Sequence, residues 1–229
     1  MRWGLPILLI VFGLVAAGCG SSSSNDTAGD TTSTGADTTS TAVGADGCSD
    51  VDVPAAKEDG GQKAPTERLD PEQTTKLVVS TNCGMFTVTL DVASAPATAA
   101  SLVSLANAGF FDNTIFHRIV PGFVIQGGDP TQTGSGGPGY QTVDPPAAGA
   151  AYTKGVVAMA KSGSEARGTS GSQFFVVTGA DVGLPPDYAV VGNVTSGLDV
   201  VERIGRLGDP ATEQPTRPVV IESVKVETQ

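Results

Sequence analysis

"FHRIVPGFVIQGGD", residues 116–129, decides how this chain is read. Two apolar runs flank a break at Pro121-Gly122, a pair suited to turning the chain between strands. Period two puts Val124 and Gln126 on one face of the second run, with Phe123 at its mouth. The first run holds the only histidine, His117, with Arg118 beside it. An arginine, an aromatic ring and an amide this close together either converge on a substrate or fill and solvate a barrel wall. Alternation puts His117 on the side of Ile119, which marks it as a wall residue.

Strand-like runs continue in both directions. "LVVS" and "MFTVTL" flank a turn at "TNCG", and Phe86, Val88 and Leu90 alternate with Thr87 and Thr89. Further runs lie at 114–120, 123–126, 156–160, 173–178, 188–194 and 219–226, divided by Gly- and Pro-rich turns. Within "GSQFFVV", Gln173 and Phe175 share a face opposite Phe174 and Val176. Two helices interrupt the pattern. "SAPATAASLVSLANAG" has Ser94 as its expected cap, Pro96 in the first turn and Gly109 as its stop. "GLDVVERIG" gives a short helix over Leu198–Ile204, ended by Gly205. Eight strands and two helices in about 150 residues fit an all-β-dominated, closed eight-stranded antiparallel barrel capped by two helices.

Composition agrees with many turns. The 229 residues include 30 Gly and 15 Pro, and 5% are aromatic. The net charge of −11 sits mainly in a leader, since residues 20–75 carry 11 acidic and 3 basic residues. No basic stripe is present, so nucleic acid is not an expected partner. Arg2 and the apolar run Leu5–Ala17 form an expected signal peptide over residues 1–18, too short for a membrane span of about 20 residues. It ends at "AAGC", which resembles a bacterial lipobox and makes Cys19 the expected lipidated residue. The expected location is the outer side of the cell membrane, through that anchor. Ordinary secretion is the alternative.

Residues 19–47 are rich in Ser, Thr, Gly and Asp and read as a disordered tether, about 30 Å end to end as a coil. Residues 48–75 are expected to be mostly irregular, and 76–229 to be the folded domain. In an oxidising compartment Cys48 and Cys83 form an even pair. A bridge would close a loop of about 35 residues, worth roughly 3–4 kcal/mol. Two free thiols are the alternative.

Several chemistries lack their residues. One histidine and two spaced cysteines make no metal-ligand set. The glycine-rich "GGDPTQTGSGGPG" has no following Lys-Ser/Thr and opens no helix, so it is no phosphate cradle. Asp129 and Asp144 have no evident carboxylate partner.

"FHRIVPGFVIQGGD", "GSGGPGY" and "GSQFFVVT" together resemble, in order and spacing, the cyclophilin family of peptidyl-prolyl cis–trans isomerases, and the likeness runs from Leu77 to Val226. It is nearest to their bacterial exported branch. The resemblance implies a site on the outer face of the barrel, with Arg118, Phe123 and Gln126 catalytic. It implies that Val124 and Phe175 line the proline pocket with Phe123, and that Leu184 and Tyr188 stand at its edge. Gln126 and Gln173 would hold the substrate backbone, with Gly134 and the main chain of Ala160 and Lys161. It further implies proline-containing polypeptides as partners, no cofactor and a monomer. Gly183 stands where many members carry a tryptophan, which weakens the expectation of cyclosporin binding. A proline-binding module without turnover is the alternative function.

Overall fold

The computed structural model describes residues 44–229. The signal peptide, Cys19 and most of the tether lie outside them. Alternating strands build one curved nine-stranded antiparallel sheet. Its members are β1 (Thr75–Thr81), β2 (Gly84–Leu90), β3 (Thr114–Ile115), β4 (Arg118–Val120), β5 (Val124–Gly127), β7 (Val156–Met159), β9 (Phe174–Val177), β10 (Val190–Ser196) and β11 (Val220–Thr228). The order across the sheet is β3-β11-β1-β2-β10-β7-β9-β5-β4. A separate two-stranded ribbon pairs β6 (Thr142–Val143) with β8 (Thr169–Ser170).

The two end strands, β3 and β4, are consecutive in sequence and separated only by Phe116 and His117. The run 114–120 therefore pairs with β11 through its first half and with β5 through its second. Counted as one strand, it makes the sheet the expected eight-stranded wall. The break shifts the alternation by one residue: Phe116 and Ile119 are both fully buried in the core. His117 thus leaves the side of Ile119, against expectation, and lies in the seam.

Inward residues of the sheet's longer strands pack into one core with the helices. Phe174 meets Phe116 and Phe111 edge-on at 6.0 and 6.1 Å between ring centroids. Helix α1 (Pro96–Asn107) contributes Ala99, Leu102 and Leu105, and α2 (Leu198–Gly205) contributes Val200, Val201 and Ile204. Gly109 stops α1 in the left-handed conformation, at φ 65°. Ser94 does not cap the helix. The buried carboxylate of Asp144 takes that place, accepting from Thr98 N at 2.6 Å and Thr98 Oγ1 at 2.7 Å. A distant carboxylate offers the free N–H groups of the first turn an anionic acceptor.

Residues 44–74 contain no helix and are pinned to the body. Cys48 and Cys83 are joined in a disulfide. Arg217 pairs with Asp46 at 2.6 Å, and Lys57 Nζ donates to the carbonyls of Gly109 and Phe110, both at 3.0 Å, just past the end of α1. Gly60 N and Gln62 N donate to the carbonyls of Gly137 and Pro138 at 2.9 and 3.0 Å. Replacing both cysteines by serine is expected to lower stability by about 3 kcal/mol, through lost loop closure. Urea unfolding of oxidised wild type against Cys48→Ser/Cys83→Ser measures it, and equal midpoints would contradict the estimate.

Candidate active site

The outer face of β4, β5, β9 and β7 carries the residues that period two turns away from the core. Register aligns Arg118 with Gln126, Gln126 with Phe175, and Phe175 with Ala158, one row across four strands. The β4–β5 connection is a tight turn in which Phe123 N donates to Val120 O at 3.0 Å. Pro121 suits its second position, and Gly122 supplies the positive φ of 70° at the third. At the far end of β5, a Cβ on Gly128 would lie 2.4 Å from Ser172 O, so only glycine lets β5 and the start of β9 approach there.

A second apolar cluster, separate from the core, lies on this face. Val124, Tyr152, Ala158, Phe175 and Val177 are buried in it, and Phe123, Leu184 and Tyr188 are partly exposed at its rim. Phe175 meets Tyr188 edge-on at 5.6 Å, and Tyr152 at a tilt at 6.2 Å. Tyr152, which the motifs did not single out, underpins the rim. Its hydroxyl donates to Tyr188 O at 2.7 Å and accepts from Tyr188 N at 3.0 Å. Burial pushes that phenol's pKa up, so it stays neutral.

Polar groups form a chain beside the cluster. Arg118 Nε donates to Glu213 Oε2 at 2.7 Å, and Arg118 Nη1 lies 3.4 Å from Gln126 Oε1. Its guanidinium carbon lies 6.0 Å from the Phe123 ring centroid. Gln126 Nε2 donates to Gln173 Oε1 at 3.0 Å, and Gln173 Nε2 to Gly136 O at 2.9 Å. Among the described residues Arg118 Nη2 meets no protein acceptor, so it is free to donate to a bound molecule. An adjoining open cavity of about 800 Å³ is lined by Gln126, Gly134, Ala160, Lys161, Gln173 and the leader's Asp59.

The expected residues thus fall into two neighbouring parts. Phe123, Val124, Phe175, Leu184 and Tyr188 make the apolar part. Gln126, Gln173, Gly134, Ala160 and Lys161 line the polar one. Arg118 stands where they meet. A proline ring is apolar, so the cluster and not the larger cavity suits it. The Lys161 side chain turns away into the protein, 3% exposed, and pairs with Asp187 at 2.7 Å. That leaves its main chain to face the cavity.

Gly134 is held by Asp129, whose buried carboxylate also organises the loop from 129 to 134. Oδ1 accepts from Thr131 N at 2.7 Å and Thr131 Oγ1 at 2.8 Å, and Oδ2 from Thr133 N at 3.0 Å and Gly134 N at 2.5 Å. Burial alone would raise its pKa, but hydrogen bonds from Thr131, Gly136 and Gly134 outweigh this and hold it below the usual value. His117 lies beside Gly134, and among the described residues neither ring nitrogen has a hydrogen-bond partner. Burial pushes its pKa down, Asp129 opposes this in part, and Arg118 adds to it.

A histidine with a depressed folded pKa stabilises the fold fully above its unfolded value. That contribution is lost as pH falls below about 6.5 and through the folded pKa. Wild type should therefore lose stability on going from pH 7.5 to 5, by at most about 1.4 kcal/mol per pH unit from this one group. His117→Asn should flatten that part of the profile in urea titrations, and an unchanged slope would reject the assignment.

Among the described residues no group of three His, Cys, Asp or Glu side chains is placed to hold a metal ion.

Comparison with known proteins gives this fold a family. The family described as "Cyclophilin type peptidyl-prolyl cis-trans isomerase/CLD" matches residues 76–226. A relative in Gibberella zeae, peptidyl-prolyl cis-trans isomerase-like 1, is 36% identical over 160 residues, covering 67% of this chain and 95% of the relative. Peptidyl-prolyl cis-trans isomerase A of Mycobacterium tuberculosis is 37% identical over 174 residues, covering 68% and 94%. The crystal structure of a cyclophilin-type isomerase from Cryptosporidium parvum superposes with a TM-score of 0.62 at 27% identity, covering 68% of this chain and 99% of that one. A second structure of that protein was determined in the presence of the dipeptide Ala-Pro. This chain belongs to the cyclophilin-type peptidyl-prolyl cis–trans isomerases, and the matched residues 76–226 make an isomerase domain of that type.

Proposed function

We propose that this chain accelerates the isomerisation of X–Pro bonds in exported polypeptides, from the outer side of the membrane, as a lipoprotein of the family's bacterial exported branch. The observation that carries the catalytic reading is the guanidinium of Arg118, held beside Gln126 at the edge of an apolar cluster, with Nη2 free to donate. The Ala-Pro used with the Cryptosporidium relative supports a proline-containing peptide as the ligand.

The chemistry follows from the amide. Resonance sets a rotation barrier of about 18–20 kcal/mol, and X–Pro bonds exchange over tens to hundreds of seconds. At the twisted transition state the prolyl nitrogen regains its lone pair. A donor from Arg118 stabilises that lone pair, which the planar ground state lacks, so it favours the twisted state selectively. Phe123, Val124 and Phe175 grip the ring, Leu184 and Tyr188 close its edge, and Gln126 holds the carbonyl preceding the proline. Gln173, Gly134 and the main chain of Ala160 and Lys161 hold the flanking backbone. No proton transfer or covalent intermediate is required.

Exchange spectroscopy on a proline peptide with the full chain tests the reading. Accelerated cis–trans exchange is expected, and binding without acceleration would favour a non-catalytic module. For the location, mass analysis of the mature N-terminus should find acylated Cys19. An unmodified start elsewhere would reject the lipoprotein reading.

A further inference from the structure

We infer that Glu213 is a positioning residue for Arg118, set there by the loop after α2. Resting on the assignment of Arg118 as the catalytic arginine, this gives that assignment a partner outside the motifs that identified it. Glu213 lies 95 residues along the chain from Arg118 and bonds its Nε at 2.7 Å. Of the guanidinium's contacts this is the short, charge-assisted one; that to Gln126 is 3.4 Å. An arginine held only by Gln126 could swing about its long side chain. Fixing Nε leaves the outer nitrogens aimed along one direction, the one in which a twisted amide must be met.

The loop is built for this presentation. Glu213 has a positive φ of 60°, unusual for a residue with a side chain. Its N–H donates to Asp209 O at 2.8 Å, Asp209 N donates to Gln214 O at 2.8 Å, and Asp209 Oδ1 accepts from Ala211 N and Thr212 N at 2.7 and 3.0 Å. The carbonyl of Glu213 accepts from Ile119 N at 2.9 Å. One residue therefore grips the arginine strand twice, by backbone at Ile119 and by side chain at Arg118. The backbone grip survives any substitution of the side chain, so the two roles separate experimentally.

Glu213→Ala and Glu213→Gly in the full chain are expected to lower kcat about fivefold with KM within twofold, because the lost interaction matters at the twisted state. The Arg118 Nε–H signal, slow to exchange in wild type, should become fast-exchanging in both. Glu213→Gln keeps an acceptor oxygen and should restore most of the rate. Glycine relieves the positive φ, so Glu213→Gly should melt no earlier than wild type while turning over more slowly. A merely structural residue would lose both together. Wild-type or faster turnover in the alanine and glycine variants would overturn the inference. If Arg118→Ala itself matches wild type, the underlying assignment of Arg118 fails instead.

Discussion

Arg118→Ala is expected to lower kcat/KM for a proline peptide by about 100- to 1,000-fold, the usual loss when one donor aimed at transition-state charge is removed. Peptide affinity should change little, because the proposed grip on the ring comes from Phe123, Val124 and Phe175 of the neighbouring apolar cluster. The loss should therefore fall on kcat. Arg118→Lys should recover only part of it. Lysine keeps the charge but lacks the fork that binds Glu213 through one nitrogen and leaves others directed outward. Protease-free isomerisation assays and exchange spectroscopy on the bound peptide separate the two terms. A variant that binds poorly yet turns over normally at saturation would place Arg118 in recognition rather than catalysis.

Asp129→Ala is expected to cost on the order of 5 kcal/mol of stability, since hydrogen bonds to a charged group contribute about 1.5–3 kcal/mol each. Four donors converge on this carboxylate, and the residue is fully buried. Removing it strands three backbone N–H groups at the root of the loop that carries Gly134 and Gly136. Because Gln173 donates to Gly136 O, the same loop supports the polar side of the site. Asp129→Asn should be milder but still clear, as an amide has one acceptor oxygen in place of two. Urea unfolding at pH 7 measures both variants, and a loss under about 1 kcal/mol in the alanine variant would contradict the account.

Much of the architecture was legible because barrel strands advertise themselves by alternation. Val124 and Gln126 against Ile125, and Gln173 and Phe175 against Phe174, sort to outside and inside as period two requires. Alternation failed at Phe116–His117, where a single strand changes partners. Nothing local marks that break, because its cause is β11 on one side and β5 on the other. The β6–β8 ribbon escaped too, as two-residue strands have no period to detect.

Pattern alone left the outer-face residues between substrate site and solvated wall, and the likeness to cyclophilins selected the former. Even so, that likeness could point only to the positions that match the family's own site residues. Tyr152 and Glu213 lie beyond them and act through contacts 36 and 95 residues away in sequence. Asp129 and Asp144 stand out in the sequence only as carboxylates without an evident partner, whereas both anchor backbone N–H groups. Such donors are present at almost every position, so the sequence does not distinguish the ones that matter.

The seam at residues 116–117 has a consequence in time. Strand β11 lies between β1 and β3, so a strand that follows the site residues in the chain sits between two that precede most of them. Until it arrives, the strand leading into Arg118 has no partner in the sheet. A nascent chain that has already exposed every residue of the site still lacks the wall that aligns them. Order of synthesis thus delays the closing of this wall until β11 has emerged.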